Sequence, residues 1–373
     1  MFHVKHRKEV MKKQYYTIKN IMSVEDAIYK LIIGERSNGK SYSVTEYALH
    51  RAWTEKDYYG NKVNDYQFVY LRRWREDIKT VSIEEYFADK SKLIKEITDG
   101  MYDRVIAYQS NLYFAKMDNE TFKIKRGKMI GKAMCLTADT HYKSLQFPLI
   151  GVIIFEEFIT DTYLPNEPRR LMSIVSTVAR KRNIDVFLIG NTISRLCPYF
   201  REWGLVGVLK QKQGTIDIYQ YHGEDYEVSI ALEYCKNIED KNKIIIGNSA
   251  KMINSGAWDT DEQPHLPKKY NEYLSLYRVL LVHDNFIYMI ELLRDKEKKN
   301  LLLFVYPASK DSKRNRTIDE QFSEDVLTTP SLKPLRKYDM VILELLDRKK
   351  ITFSDNLTGT EFLNIIKQKG GKL

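Results

Sequence analysis

Short apolar runs, separated by longer polar segments, set the organisation of the first two thirds of the chain. Runs of this kind cover residues 31–33, 68–71, 151–155 and 184–190. Short continuous apolar runs are typical of strands that are buried on both faces of a parallel sheet. Residues 169–182 carry apolar side chains at every third or fourth position and therefore predict an amphipathic helix. This alternation predicts an α/β domain with a central, mostly parallel sheet.

Strict alternation of apolar and polar residues marks a different element in the middle of this region. Residues 104–115 and 121–129 alternate on either side of a polar turn at 117–120, which predicts a β-hairpin. The second arm is basic, with Lys or Arg at positions 123, 125, 126 and 128. The hairpin is either an insertion that contacts another molecule or a solvated edge strand whose lysines prevent pairing with other chains. The sequence leaves both interpretations open.

A change of character after residue 222 indicates where the first domain ends. Strand patterns at 206–210 and 215–221 precede the change. Residues 223–270 have mixed charge, scattered Gly and Pro, and weak periodicity. We therefore expect a small linker subdomain there, partly helical at 229–240.

The last hundred residues have the pattern of a separate α+β domain. Strands are predicted at 277–282, 286–293 and 301–306, and helices at 338–349 and 360–369. The predicted domains are 1–222, 223–270 and 271–373.

The segment directly after the first apolar run has the sequence of a phosphate-binding loop. It fits the pattern G-x-x-x-x-G-K-[ST] at every fixed position. The glycines let backbone N–H groups curl around phosphate oxygens, Lys40 carries charge to the β- and γ-phosphates, and Ser41 offers a hydroxyl to Mg²⁺. A strand before the loop and a helix after it are the context that the motif requires. The predicted nucleotide site is Gly34, Glu35, Arg36, Ser37, Asn38, Gly39, Lys40 and Ser41.

A second motif, the apolar run 151–155 followed by Glu156 and Glu157, has the pattern of a Walker B strand with an added catalytic glutamate. Successive side chains of a strand point to opposite faces, so one carboxylate can face Mg²⁺ while its neighbour reaches the attacking water. Phosphoryl transfer needs both tasks. The run 68–71 lies between the two motifs, as in the ASCE class of P-loop ATPases, which insert a strand between them and carry an added glutamate.

Polar residues at the ends of other predicted strands are further candidates. Three arginines within 72–75 either grip phosphates or pair with the carboxylates at 76 and 77. Asn191 follows the run 184–190, where it is either a sensor of the γ-phosphate or the cap of the next helix. These alternatives stay open from the sequence.

Composition narrows the class of the protein and its partners. A net charge of +10 over 373 residues favours polyanionic partners such as nucleic acid. No apolar run approaches the roughly 20 residues that cross a bilayer, so we expect no membrane partner. Cys135, Cys197 and Cys235 are odd in number and widely spaced, which argues against disulfides or a zinc site and fits a reducing cytoplasm.

On these residues the chain resembles the DNA-packaging motor ATPases of small podoviruses of the phi-29 type. The resemblance rests on blocks that keep their order, at 33–42, 70–73, 152–158, 163–167, 177–182, 191 and 198–200. It implies a P-loop ASCE ATPase domain, a small linker subdomain, and a C-terminal domain resembling an RNase H-type nuclease that has lost its metal ligands. The carboxylates after residue 270 form no convincing two-metal pattern, which agrees with a vestigial nuclease.

The resemblance also implies cofactors and partners. ATP and Mg²⁺ are the expected cofactors, and the expected assembly is a homomeric ring of five subunits. Such a ring docks on a viral portal in the cytoplasm of a bacterial host and drives double-stranded DNA into a prohead. Whether a structural RNA joins the motor stays open. The basic hairpin at 121–132 and a basic loop at 310–316 are candidates for contact with DNA or the portal.

Carried over residue by residue, the resemblance assigns the phosphate and Mg²⁺ contacts to Lys40 and Ser41. It makes Glu157 the base that activates water. Glu156 stands where the Walker B motif usually has Asp. The longer carboxylate should still reach Mg²⁺ through a coordinated water, and the division of roles between Glu156 and Glu157 stays open.

The same resemblance indicates how a neighbouring subunit completes the site. Arg180 matches the arginine finger that reaches a neighbour's nucleotide, and Arg182 is the reserve candidate. Arg75 falls where the family has a basic residue that is a candidate for acting across the interface.

Three functions from different classes remain as hypotheses. An ATP-driven translocase on double-stranded DNA is favoured. A terminase-type packaging enzyme with an active C-terminal nuclease is the first alternative. The second is a nucleotide-gated nucleic-acid-binding scaffold without turnover, against which Glu157 argues because a binding site needs no base.

Overall fold

The computed structural model describes residues 15–118, 120–222, 227–236, 258, 262–283, 286–308, 316–317 and 337–368. These residues divide into two compact units. The first contains the described residues up to 192 together with 210–222 and 227–236, and the second contains 193–209, 258 and those from 262 onwards. The segment 193–209, which the sequence assigned to the first domain, thus belongs to the second unit.

One sheet of nine described strands organises the first unit. The strands are β1 (Ala27–Gly34), β2 (Gln67–Arg72), β3 (Arg104–Tyr108), β4 (Asn111–Met117), β5 (Ile124–Cys135), β6 (Ile150–Glu156), β7 (Asp185–Asn191), β8 (Thr215–His222) and β9 (Glu227–Tyr234). Their order is β3-β4-β5-β2-β6-β7-β1-β9-β8. The six from β5 to β9 in that order are parallel, whereas β3, β4 and β8 are antiparallel to their neighbours. The predicted mostly parallel sheet is confirmed.

Helices cover this sheet because its central strands are apolar on both faces. They are α1 (Lys19–Met22), α2 (Lys40–Thr54), α3 (Thr80–Ala88), α4 (Ser91–Ile97), α5 (Asp139–Tyr142) and α6 (Glu167–Ala179). Helices α2, α3 and α4 pack on the face that carries Ile32, Phe68 and Ile154. Strand residues of the opposite parity, such as Ile33 and Leu188, are buried as well. The apolar stripe predicted for 169–182 lies on the buried side of α6.

In the sheet, β7 lies between the two strands that carry the motifs. The strand that lies between the two motifs in the sequence, β2, does not. β1 leads into the phosphate loop, β6 ends at Glu156, and β7 separates them in the sheet. β2, which contains the run 68–71, lies on the far side of β6. The ASCE arrangement is therefore present, but sequence order pointed to the wrong strand because the inserted one follows both motifs in the chain.

The first unit's sheet continues past the predicted boundary at residue 222. Residues 227–234, predicted as a partly helical linker, form β9, which is parallel to β1. The predicted strand at 206–210 is instead a 3-10 turn over Val206–Leu209, and β8 pairs with β9. The helical prediction was wrong for these residues, because apolar and polar side chains alternate along β9 and because β9 pairs with a strand on each side, β1 and β8. Residues 237–257 lie outside the described part of the chain.

The predicted hairpin is a three-stranded antiparallel extension of the sheet. Residues 104–115 form two strands, β3 and β4, with a tight turn at Gln109 and Ser110. β5 pairs with β4 on one side and, through residues 131–135, with β2 on the other. β3 is the outer strand of this extension, but the basic part of β5 before Gly131 pairs with β4 alone and so has an unpaired edge, and both interpretations of the basic arm stay open.

The second unit is built on a sheet of five described strands. They are β10 (Tyr273–His283), β11 (Phe286–Asp295), β12 (Leu301–Pro307), β13 (Arg316–Thr317) and β14 (Ile351–Phe353), in the order β13-β10-β11-β12-β14. Its described helices are α7 (Pro198–Glu202), α8 (Lys337–Asp347) and α9 (Asn356–Gln368). Helices α8 and α9 pack on the face of Val279, Ile290 and Leu303, so the predicted α+β domain is confirmed. Among the described residues, none of the helices has both the length and the apolar character that a membrane span requires.

Candidate active site

The phosphate loop connects the end of β1 to the start of α2. Helix α2 begins at Lys40, so its free N–H groups and the positive end of its dipole face the loop. Gly34 and Gly39 have φ values of 156° and 95°, which residues with a Cβ rarely adopt. A Cβ at Gly34 would also lie 3.0 Å from the Cβ of Cys235, the residue after β9. Backbone conformation and packing therefore both require glycine in this loop.

Lys40 is buried and donates hydrogen bonds only to neutral oxygens. Its Nζ donates to the Glu35 carbonyl, to Asn38 Oδ1 at 3.1 Å and to Asn191 Oδ1 at 3.3 Å. Burial lowers the pKa of Lys40 to about 8. Within the described chain, no carboxylate lies at salt-bridge distance from this ammonium group. Because a buried cation without a counterion is costly, the site fits a bound anion.

Ser41 and Glu156 join the two sequence motifs. Ser41 Oγ donates to Glu156 Oε2 at 3.0 Å. Tyr86, from α3, donates to the other carboxylate oxygen at 2.8 Å, and Thr45 donates to Tyr86 at 2.7 Å. Burial raises the pKa of Glu156, while the hydrogen bonds from Tyr86 and Ser41 oppose that rise. A hydroxyl and a carboxylate side by side are ligands of the type that Mg²⁺ takes, so the residues present fit a metal ion at this position.

Glu157 occupies a different environment from its neighbour Glu156. It follows β6 with a φ of 58°, in the left-handed region, and its side chain is 59% exposed. Its Oε2 accepts a hydrogen bond at 2.8 Å from Nη2 of Arg72, the last residue of the adjacent strand β2. Asp77, one of the carboxylates that the sequence suggested as partners for these arginines, also forms a salt bridge with Arg72, at 3.6 Å from Nε. The two adjacent glutamates thus face different partners.

Arg73 holds the backbone at Glu157 in place through hydrogen bonds. Its guanidinium is buried and donates two hydrogen bonds of 2.8 Å to the carboxylate of Glu167, which is also buried. It also donates to the carbonyls of Glu157 at 3.0 Å and Phe158 at 3.2 Å. The sequence offered Arg73 either phosphates or the carboxylates at 76 and 77 as partners, and it did not indicate Glu167, which is 94 positions away.

Most of these groups line one cavity of about 980 Å³. Its lining includes the loop residues 36–41, Glu156, Glu157 and Asn191, whereas Gly34 and Glu35 are not exposed to it. The side chain of Asn191 points to Lys40, and the cap of the next helix, α7, is Cys197. The interpretation of Asn191 as a helix cap is therefore wrong.

A segment that no sequence motif marked also borders this cavity. Tyr15, Tyr16 and Thr17 line it. The Tyr16 N–H donates to the Asn38 carbonyl at 2.9 Å, and its hydroxyl donates to Glu233 at 2.8 Å. The segment before α1 is thereby fixed against the phosphate loop.

The three arginines proposed to act across an interface differ in their contacts. Arg180, directly after α6, is exposed, and its Nη2 donates to the Leu145 carbonyl at 2.9 Å. Arg75 is also exposed, and no hydrogen bond of its side chain occurs within the described residues. The guanidinium of Arg182 donates to Asp65 and to the carbonyls of Phe147, Pro148, Ile150 and Val178. Arg182 thus ties the end of α6 to the chain before β6.

The described part of the second unit offers no comparable metal site. No group of three or more His, Cys, Asp or Glu side chains within it, or elsewhere in the described chain, is arranged to hold a metal ion. Glu291, which is buried, accepts hydrogen bonds of 2.8 Å from Arg278 and Tyr270. The basic loop predicted at 310–316 lies outside the described residues except for position 316, where β13 begins.

The parallel sheet, the phosphate loop between β1 and α2, and the strand inserted before the acidic end of β6 define a P-loop protein of the ASCE class. The sequence assigns the protein to one family within this class. The chain belongs to the podovirus DNA encapsidation protein (Gp16) family, whose family model matches residues 10–238. The resemblance drawn from the motifs is confirmed at the level of the family.

Curated relatives from Bacillus phages share part of this sequence. The DNA packaging protein of phage B103 is 31% identical over 186 residues, which cover 48% of this chain and 49% of the relative. The DNA packaging protein of phage phi29 is 27% identical over 211 residues, covering 55% of each. The chain therefore spans about half the length of the curated relatives it matches.

Two of the solved structures with similar chains come from bacteriophage phi29. The N-terminal domain of the DNA packaging ATPase from bacteriophage phi29 is 26% identical and has a TM-score of 0.41, covering 58% of this chain and 95% of that domain. A chain of the bacteriophage phi29 viral genome packaging motor assembly is 18% identical and has a TM-score of 0.49, covering 95% of this chain and 99% of that one.

Proposed function

We propose that the protein is an ATPase that drives double-stranded DNA into a viral prohead. The observation that carries the proposal is the 3.0 Å hydrogen bond from Ser41 Oγ to Glu156 Oε2, in a chain of the DNA encapsidation family. It joins the phosphate loop to the acidic end of a buried strand, which is the pairing of groups that phosphoryl transfer requires. Relatives named as DNA packaging proteins support DNA as the cargo.

In this proposal the phosphate loop binds the triphosphate of ATP. Lys40 supplies the positive charge, and the N–H groups at the start of α2 supply hydrogen bonds to the phosphates. Ser41 and Glu156 hold Mg²⁺, which neutralises phosphate charge when bound. Asn191 at the end of β7 contacts Lys40 and lies where it can respond to the terminal phosphate.

Glu157 is the proposed base that orients and deprotonates water. Its exposed side chain lines the same cavity as Lys40, which supports this role. The hydrogen bond from Arg72 holds this carboxylate at the end of β2, and we expect the ion pair to open when Glu157 takes up the attacking water. Arg73 keeps the Glu157 backbone in place while the side chain changes partners.

The proposed assembly is a homomeric ring, with five subunits as the expectation, in which Arg180 reaches the neighbouring subunit's nucleotide. The exposure of Arg180 supports this choice over Arg182, whose guanidinium is occupied within its own subunit. Arg75, also exposed, is the second candidate for such a contact. An arginine supplied in trans contributes on the order of 10³–10⁵ in rate, so it would make hydrolysis depend on the ring.

The proposed place of action is the cytoplasm of an infected bacterium, on the portal of the prohead. The second unit is proposed to be a nuclease-like domain without its metal ligands, in keeping with the lack of an acidic cluster among its described residues. Participation of a structural RNA is a separate question for reconstitution.

Two substitutions test the proposed function in the full chain with a matched surface control. Lys40→Ala should abolish nucleotide binding and hydrolysis, whereas Glu157→Gln should bind ATP but release no phosphate. Lys92→Ala, on the exposed side of α4, should behave as wild type. Each protein is assayed for phosphate release and for protection of DNA from nuclease after packaging into proheads. Packaging by Lys40→Ala or Glu157→Gln would refute the motor, and steady phosphate release by wild type would dispose of the scaffold alternative.

A further inference from the structure

The tip of the hairpin formed by β4 and β5 is a two-stranded basic element that stands out from the sheet. Pairing of β4 with β3 ends at Ala115, and pairing of β5 with β2 begins only at Gly131. Beyond these points the strands pair only with each other. We call residues 116–118 and 120–126 the hairpin tip. We propose that this tip enters the major groove of duplex DNA.

Charge at the hairpin tip favours a polyanion. Residues 116–126 contain four Lys or Arg and two carboxylates, for a net charge of +2. Lys123 and Arg126 are exposed and have no carboxylate partner among the described residues. Lys116 and Lys125 are directly opposite each other across the two strands, an arrangement that is unfavourable without a counter-charge. Asp118 neutralises only Lys125, at 2.9 Å.

The tip is held in one shape before any partner binds. Asp118 accepts hydrogen bonds from the N–H groups of Glu120 at 3.1 Å and Thr121 at 3.0 Å, and its own N–H donates to the Lys123 carbonyl at 2.9 Å. The Phe122 N–H donates to the Asp118 carbonyl at 2.8 Å. The hydrogen bond from Lys125 is the largest of several contacts that lower the pKa of Asp118. A preformed turn loses less entropy on binding than a flexible one.

Apolar and aromatic groups complete the surface. Phe122 at the end of the turn is 77% exposed, and Ile124 is also exposed. The guanidinium of Arg126 lies over the rings of Tyr108 and Tyr113, at 5.0 Å and 4.7 Å from their centroids. These rings orient Arg126, whose side chain is exposed and so accessible to a phosphate.

The shape of the major groove favours duplex DNA over duplex RNA as the partner of the hairpin tip. The major groove of B-form DNA admits a two-stranded β-ribbon, whereas the major groove of an RNA duplex is deep and narrow. Cations on both strands can reach phosphates on either side of the groove, and Phe122 can contact sugars or base edges at its floor. Contacts of this kind are largely independent of sequence, as cargo transport requires.

This inference rests on the proposal that duplex DNA is the cargo, but it is tested separately from ATP hydrolysis. Binding of a labelled DNA duplex to the full chain with an ATP analogue is measured over a series of salt concentrations. The double variant Lys123→Ala/Arg126→Ala should lower affinity on the order of tenfold and reduce the slope of log K against log salt by about 1.8, because two phosphate contacts are lost. Phe122→Ala should weaken binding several-fold without changing the slope, since no charge is removed.

The matched control is Lys92→Ala/Lys95→Ala, which removes the same charge from the exposed side of α4. The control should bind as wild type, and all variants should keep the basal rate of ATP hydrolysis and the wild-type melting temperature. Unchanged DNA binding by the hairpin variant, or an equal loss in the control, would overturn the inference while leaving the ATPase intact. If the wild type instead bound an RNA duplex more tightly than the DNA duplex, and the hairpin variant lost this RNA binding, the tip would be reassigned to RNA. Loss of prohead docking alone would reassign it to a protein partner.

Discussion

Arg72 Nη2 donates a hydrogen bond to Glu157 Oε2 at 2.8 Å, across the ends of the adjacent strands β2 and β6. The contact holds one oxygen of the carboxylate that is proposed to act on water. We infer that it restrains Glu157 until the side chain is released toward the nucleotide.

Arg72→Ala should raise hydrolysis in the absence of DNA several-fold, because Glu157 is then free to orient water. The same variant should package less DNA per ATP, since hydrolysis no longer waits for the pair to open. Phosphate release with and without DNA measures the effect, and Arg72→Lys, which keeps the charge, serves as the control. A fall in basal activity for Arg72→Ala would contradict an inhibitory role.

Glu167→Gln should destabilise the first unit by about 3–5 kcal/mol, because it leaves the buried Arg73 without its counter-charge. Thermal or urea unfolding measures the loss. Arg73→Met/Glu167→Leu removes both charges and should recover only part of it, since Arg73 also binds the carbonyls of Glu157 and Phe158. If the double variant matched wild type in both stability and turnover, Arg73 would have no positioning role.

Nucleotide binding should take up a proton through Lys40. Burial lowers its pKa to about 8 in the free site, and bound phosphates stabilise the charged form. Affinity should therefore fall as pH rises above about 8, with little proton uptake near neutral pH. Without nucleotide, the fold should gain stability from this group between about pH 8 and the unfolded-state value of about 10.4.

Calorimetry with an ATP analogue at about pH 9, in two buffers with different ionisation enthalpies, measures this proton uptake. Lys40→Arg, which stays charged throughout this range, should show no difference between buffers. Equal heats for the wild type in both buffers would rule out the coupling.

Arg180→Ala should abolish hydrolysis in the assembled ring but should be rescued by mixing with Lys40→Ala subunits. The Lys40→Ala subunit has no working nucleotide site of its own but keeps Arg180, which can complete the site of the neighbour. Activity of the mixture against each protein alone measures the rescue. Absence of rescue in mixed rings would place Arg180 in its own subunit's site.

Arg182→Ala should behave differently from Arg180→Ala. Its guanidinium binds carbonyls on both sides of the loop before β6, so its loss should lower the melting temperature. Mixing with Lys40→Ala should not restore that stability. A stable, inactive and rescuable Arg182→Ala protein would exchange the roles of the two arginines.

The parts of the site that lie within one continuous stretch were predictable from sequence. The phosphate loop depends on neighbouring residues, and Glu156 and Glu157 follow a recognisable apolar run. Long-range partners were not predictable. Tyr86 meets Glu156 and Arg72 meets Glu157 only because the sheet brings distant segments to one edge.

The order of the strands within the sheet was also not predictable from the sequence. Apolar runs located β1, β2, β6 and β7, but nothing local in them encodes that β7 lies between β1 and β6. β9 was assigned to a linker because residues 223–270 as a whole have mixed charge, scattered Gly and Pro, and weak periodicity, although apolar and polar residues alternate within β9 itself. A neighbour on each side, β1 and β8, decides its structure.

The packing of Gly34 against Cys235 extends the phosphate motif beyond its eight residues. A Cβ at position 34 would come within 3.0 Å of the Cys235 side chain, and the Cys235 N–H also donates to the Ile33 carbonyl at 2.9 Å. A larger residue at 235 would therefore press on the loop as a side chain at 34 would. We therefore expect substitutions at positions 34 and 235 to be coupled. A chain can fit the motif in all eight loop residues and still have a loop deformed by a side chain about two hundred residues away.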